Sequence, residues 1–384
     1  MKNIILLSCL VAMLFSCEQK LQQEKKARHQ FSKNIQFDSI DLNLVSLSKF
    51  NTSFVGNFHI NEDYIAFLDK KYGKIFHFNA NGELLDEYLG RGNSPFEINT
   101  AYIDGYLPLK NGNHLFLGSS FDLHFHSGDN FERIKSVFLK WDGEQDIEKV
   151  RSSSEPDVTQ FALYTLDYQN LLLREGENGQ IYIPIYGETQ YFNGLNSDFY
   201  YKKGKILARM DVEAGKITKV IGNRSPRYLE NKYLPHHASF SYDIDSLYNF
   251  YISHEIDSLI YKYNQDYELI SAFGVKGSEM NTNYTKIKDF EPKLFKKLYF
   301  NERPKLGWYS HIEFIDKLGL LFRSYKKGEH SEFDGLQIFK NETLIADLKV
   351  PKGFIVKGYI KSYVFGEVIS ENSETLNLYK FKLE

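Results

Sequence analysis

Short alternating runs, turn-forming residues between them and a last unit one strand short predict an all-β chain. The architecture they predict is a six-bladed β-propeller of four-stranded antiparallel blades, its last blade closed by an N-terminal strand. The runs are rich in aromatic and β-branched residues, as in Tyr64-Ile65-Ala66-Phe67-Leu68, Lys74-Ile75-Phe76-His77-Phe78 and Gly179-Gln180-Ile181-Tyr182-Ile183. Asn79-Ala80-Asn81-Gly82 and Asn111-Gly112 supply the positive φ angles that tight hairpins require.

The first 16 residues read as a signal peptide. Met1-Lys2-Asn3 gives a positive start, and the 12 residues from Ile4 to Phe15 form an apolar core too short to span a bilayer. Leu14-Phe15-Ser16-Cys17 looks like a lipobox, which makes Cys17 the lipid-anchor residue and places the mature chain in the cell envelope. Residues 17–30 are almost all polar and suit a tether. Residues 31–384 are the propeller. The chain's two cysteines are Cys9 and Cys17, so cleavage and acylation leave the body without a thiol. That excludes disulfides, a cysteine nucleophile and thiolate metal sites there.

Strand groups follow in order. The first blade is 53–60, 64–69, 74–78 and 83–89. Two looser sets lie in 102–140 and 160–221. A clear set occupies 239–243, 248–253, 259–263 and 268–273. The spacing of Phe290, Leu294, Phe295 and Leu298 predicts an inserted helix from Asp289 to Phe300. The next blade is 309–315, 318–325, 336–340 and 343–349. The last stretch, 354–383, holds three strands, and a strand within 35–47 completes it. Two sandwiches would not leave such a shortage, whereas a ring sealed by its own N-terminal segment does.

Composition narrows the function. The 27 Tyr, 31 Phe and 2 Trp supply a core and argue against disorder. A net charge of −3 offers no footprint for nucleic acid. A single short apolar run excludes a polytopic membrane protein.

Three strand ends share a motif: Tyr88-Leu89-Gly90, Val220-Ile221-Gly222 and Ala272-Phe273-Gly274. Each lies where the chain crosses to the next sheet. The cations that follow, Arg91, Arg224 and Lys276, are candidate ligand-binding residues ringing one mouth of the channel, suited to an anionic ligand or an acidic partner surface. The inner strands place Asn57, Asp104, Asp243 and Glu313 near the axis, where oxygen ligands could hold Ca²⁺ or bind channel water. Asp122, His124 and His126 share a strand face, but Phe121, Leu123 and Phe125 opposite them suit a simple amphipathic strand. His236 and His237 would point to opposite faces of a strand. Tyr200-Tyr201 could stack on sugars or peptides, or pack between blades. No metal ligand set, cofactor loop or catalytic residue is assigned.

The stretches Gly335-Leu336-Gln337-Ile338-Phe339, Leu344-Ile345-Ala346-Asp347-Leu348, Val350-Pro351, Lys357-Gly358-Tyr359-Ile360 and Leu378-Tyr379-Lys380-Phe381-Lys382-Leu383 resemble TolB-like six-bladed β-propeller lipoproteins of Bacteroidetes. Gly90-Arg91-Gly92-Asn93-Ser94-Pro95-Phe96-Glu97 is similar to a loop common in such proteins. The resemblance implies an exported lipoprotein of unassigned activity and carries no catalytic residue. The expected function is a non-catalytic, lipid-anchored module binding a protein or small ligand at one rim. A metal-dependent hydrolase or lactonase, or a scaffold subunit of an envelope complex, are the alternatives.

Overall fold

In a strand, residues two apart share a face, so a sheet covered on both faces sends neighbouring residues into different cores. The computed structural model, which describes residues 31–141, 147–168, 171–195, 198–231, 233–287, 291–369 and 375–383, uses this rule throughout. Ile65 and Phe67 pack with Phe58, Phe76, Ile360 and Phe365. Ala66 and Leu68, on the opposite face, pack with Ile103, Tyr106 and Phe116. Ile65–Asp69 is therefore buried at all five positions.

Six sheets carry this pattern, and strands within a sheet follow sequence order except in the last, whose outer strand comes from the N-terminal segment. Blade 1 is Gly56–Ile60, Ile65–Asp69, Lys74–Phe78 and Leu84–Leu89. Blade 2 is Ile103–Pro108, His114–Gly118, Asp122–His126 and Arg133–Phe138. Blade 4 is Phe240–Ile244, Phe250–His254, Ile260–Tyr263 and Leu269–Phe273. Blade 5 is Trp308–Ile315, Leu320–Lys326, Phe333–Lys340 and Thr343–Pro351. Several first strands of neighbouring blades, such as Phe240–Ile244 and Trp308–Ile315, lie against one another, which puts them around the axis. An apolar cluster fills each of the six junctions between blades.

Blade 3 departs from the rule. Its first strand is split into Tyr164–Leu166 and Arg174–Glu175, both paired to Ile181–Gly187, and is followed outward by Leu207–Asp211 and Lys216–Ile221. Between the two pieces, Tyr168 and Leu171–Leu173 line the channel mouth. Short helices Ile147–Ser152, Asp198–Lys203 and Arg227–Asn231 accompany this region, and the strand pattern does not foretell them.

Blade 6 is Phe354–Ile360, Tyr363–Val368 and Asn377–Phe381, completed on its outer edge by Asn43–Leu44. Asn43 pairs with Lys380 and Leu44 with Tyr379, and Val45 N–H donates to Leu378 O at 2.8 Å. The expected closure is present, with a regular strand shorter than the span 35–47. Upstream residues do something the sequence did not announce. Asn34 and Gln36 donate to Leu344 and Ile345 carbonyls, each at 2.8 Å, so the same segment also binds the edge of blade 5.

The insertion between blades 4 and 5 contains helix Pro292–Lys297 followed by a wider turn, Leu298–Glu302. Asp289 and Phe290 lie outside the described residues, as do Cys17 and the segments 1–16 and 17–30. Gly274 shows why glycine ends the fourth strands: its φ is 142°, and a Cβ there would stand 2.2 Å from Ser258 O. Among the described residues no helix is long and apolar enough to cross a membrane.

Candidate functional site

The crossings and the turns after the second strands lie at one end of the channel. There the starts of the first strands surround a cup of about 200 Å³. Blade 1 contributes Asn57, His59 and Lys70, blade 2 Asp104 and Tyr106, blade 4 Ser241, blade 5 Ser310 and His311, and blade 6 Lys357. The looped piece of blade 3 adds Tyr168 and Leu171–Leu173 as an apolar side.

Local structure fixes these groups. Asp69, fully buried, accepts from the Thr52 and Ser53 hydroxyls and from the Ser53, Lys71 and Tyr72 N–H groups. That turn holds Lys70, whose N–H donates to Val55 O at 2.9 Å and whose carbonyl accepts from Ile103 N–H at 3.3 Å. The side chain then enters the cup. Ser241 Oγ is buried in the cup wall with no hydrogen-bond partner among the described residues.

Deeper in the channel, Arg174 Nε donates to Asp243 Oδ1 at 2.5 Å and its Nη2 to Glu313 Oε2 at 2.7 Å. Asp243 also accepts from the Phe314 and Ile244 N–H groups, at 2.6 and 2.9 Å. Burial dominates at Asp243 and pushes its carboxyl up to about 7 against the pull of Arg174. Burial also raises Glu313, but Arg174 and His311 outweigh it and leave this more open carboxylate below its usual range. Lys357 Nζ lies 3.4 Å from Glu367 Oε1. Burial, then the charges of Lys357, Lys70 and Arg174, hold His59 well below the ordinary histidine range, so it is neutral.

All four residues expected at the axis are there, though not as one set. Asn57 and Asp104 line the cup, while Asp243 and Glu313 clamp Arg174. Sequence reasoning missed Arg174, Lys70 and Lys357. Arg174 follows Leu171-Leu172-Leu173, a run without strand alternation, which was the available signal.

The three crossing cations have different surroundings. Arg91 donates to Ala101 O, and Lys276 is exposed. Arg224 faces inward instead of ringing a mouth: it is buried, stacks 4.5 Å from the Tyr200 ring centre and donates to Tyr200 Oη and, at 2.6 Å, to Ala238 O. No hydrogen bond or ion pair among the described residues joins the three. Tyr200 and Tyr201 are buried on helix Asp198–Lys203, where they pack on each other and on Phe192 and Tyr228.

The histidines have internal partners. His124 Nε2 lies 2.6 Å from Asp122 Oδ2, its Nδ1 lies 2.9 Å from Ser136 Oγ, and His126 Nδ1 lies 2.7 Å from Phe131 O. His236 and His237 sit on the tight turn Pro235–His237 rather than a strand, so their ring centres are 4.9 Å apart instead of on opposite faces. Arg303 packs there, bonding Glu255 through Nη1 at 3.0 Å and Nη2 at 2.6 Å.

Radial four-stranded sheets, a strand exchanged from the N-terminus and a polar cup on the axis define a six-bladed β-propeller with a pocketed channel mouth. No family model and no curated protein matches the sequence. Among solved structures, a DUF4221 family member from Bacteroides vulgatus ATCC 8482 is similar with a TM-score of 0.59 at 10% identity, covering 89% of this chain and 98% of that one. An inferred exported protein from Bacteroides fragilis NCTC 9343 is similar with a TM-score of 0.53 at 11% identity, covering 91% and 98%. At these identities the likeness concerns the fold.

Proposed function

We propose that this protein is an exported envelope protein, held at a membrane by a lipid on Cys17, whose propeller binds a small ligand in the axial cup without transforming it. The observation that carries the binding role is the convergence of polar groups whose side chains have no hydrogen-bond or ion-pair partner among the described residues: Lys70, Asp104 and the buried Ser241 hydroxyl share one cavity. The signal-like first 16 residues and the likeness to an inferred exported Bacteroides protein support the address. A metal hydrolase is the less favoured reading, because the deep carboxylates that could serve as ligands already hold Arg174.

Native mass spectrometry of protein isolated from its own envelope tests the cup. A small-molecule adduct should be present and should vanish in Ser310→Trp, which fills the cavity. An adduct that survives this substitution, or no adduct in the parent protein, would count against the cup. For the address, Cys17→Ala should abolish labelling by radioactive palmitate and release the protein from membranes; unchanged labelling would defeat the lipid assignment.

A further inference from the structure

Charged side chains elsewhere in the channel touch a counter-charge: Arg174 binds Asp243 and Glu313, and Lys357 approaches Glu367. Lys70 and Asp104 do not. They come from neighbouring blades and line the same cup, yet neither makes an ion pair or a side-chain hydrogen bond among the described residues. They are coupled through space only. Burial, the leading influence on each, pushes the Lys70 ammonium down and the Asp104 carboxyl up, so both charges are under-solvated.

Such a pair selects by charge pattern. A simple anion drawn to Lys70 meets Asp104, and a simple cation drawn to Asp104 meets Lys70 and Lys357. A molecule carrying both charges satisfies both poles. The volume of about 200 Å³ lies below the roughly 300–1,000 Å³ of pockets for drug-sized ligands. The Leu171–Leu173 side is apolar, and Ser241 and Asn57 are available as neutral hydrogen-bonding groups.

We infer that the cup receives a small zwitterion of the α-amino-acid type with an apolar side chain, its carboxylate at Lys70, its ammonium at Asp104 and its side chain against Leu171–Leu173. This rests on the reading of the cup as a ligand site and adds the ligand's class. No bond is made or broken.

The test is calorimetric titration of the mature protein with the twenty amino acids, with 4-methylpentanoate and isoamylamine as singly charged counterparts of leucine. An apolar amino acid should bind at least tenfold more tightly than either counterpart. Lys70→Met and Asp104→Asn should each weaken it tenfold or more while leaving the thermal midpoint near that of the parent. Asp104→Asn should also narrow the preference for leucine over 4-methylpentanoate, an effect that a merely structural role would not produce. If 4-methylpentanoate or isoamylamine binds as well as the amino acid, the zwitterion is refuted and the cup stands as a ligand site. If no amino acid binds, the inference fails, while the co-purified adduct still judges the cup independently. Amino-acid binding that persists in Ser310→Trp lies elsewhere and overturns the zwitterion assignment, while the co-purified adduct still judges the cup.

Discussion

Replacing Arg174 by Met removes the guanidinium and keeps an unbranched apolar stem. The Asp243 and Glu313 side chains, 6% and 17% exposed, would then face each other without their cation. Removing one partner from a buried ionic cluster costs about 3–5 kcal/mol, chiefly because the charges left behind remain desolvated. We therefore expect Arg174→Met to lower unfolding free energy by about 4 kcal/mol near pH 8. The pH dependence carries the diagnostic sign. Burial already lifts Asp243 to about 7, and loss of Arg174 lifts it further. Between the unfolded value of about 3.9 and that raised value the folded state binds more protons, so stability falls as pH rises. Acidification to about pH 5.5 should consequently narrow the deficit relative to the parent by about 1–2 kcal/mol. Urea unfolding followed by far-ultraviolet circular dichroism at both pH values measures this. A deficit below about 1 kcal/mol, or one that widens on acidification, would refute the account of the channel floor.

Other expectations concern the scaffold. Asp69→Ala orphans the donors around the Lys70 turn and should cost on the order of 4 kcal/mol, read by urea unfolding, with faster proteolysis near residues 52–55. At the closing seam, Val45→Asp places a charge into the junction of blades 6 and 1 and should cost about 3 kcal/mol or more, whereas replacing Leu44, 56% exposed, by Asp should change stability by no more than about 0.5 kcal/mol. Burial lowers His77, His114 and His126 to about 4 and His254 to about 3. Their stabilising contribution is full above about pH 6.5 and is lost as pH falls toward those values, because the unfolded chain binds the protons first. It outweighs the opposite trend of Asp243 and Asp104, so the thermal midpoint should fall steadily from about pH 6.5 to 4; a midpoint that rises over this range would contradict the assignment.

The sheets were legible because their signal is local. Alternation in Ile65–Asp69 or Leu320–Lys326 reflects junctions on both faces of one strand, and a missing final strand is simple arithmetic on the chain. Blade 3 was less legible, since its inner strand is broken and its short helices depend on tertiary cover. Arg224 illustrates the limit: a charge after a crossing glycine reads as exposed, but helix Asp198–Lys203 lies over it and Tyr200 covers its guanidinium. At the site, Asn57 and Asp104 could be placed from their positions at the starts of first strands. Lys70 could not, because its direction is set by the Asp69 turn after alternation has ended.

The seam joining Asn43–Leu44 to Asn377–Phe381 has a temporal consequence. Its halves lie at opposite ends of the propeller sequence, so a chain emerging from its N-terminus must keep that segment waiting until the other strands of the propeller have been delivered. Until then the last blade has a bare outer edge, capable of capturing the same stretch from a second molecule, and crowding during biosynthesis would favour domain-swapped pairs over finished monomers.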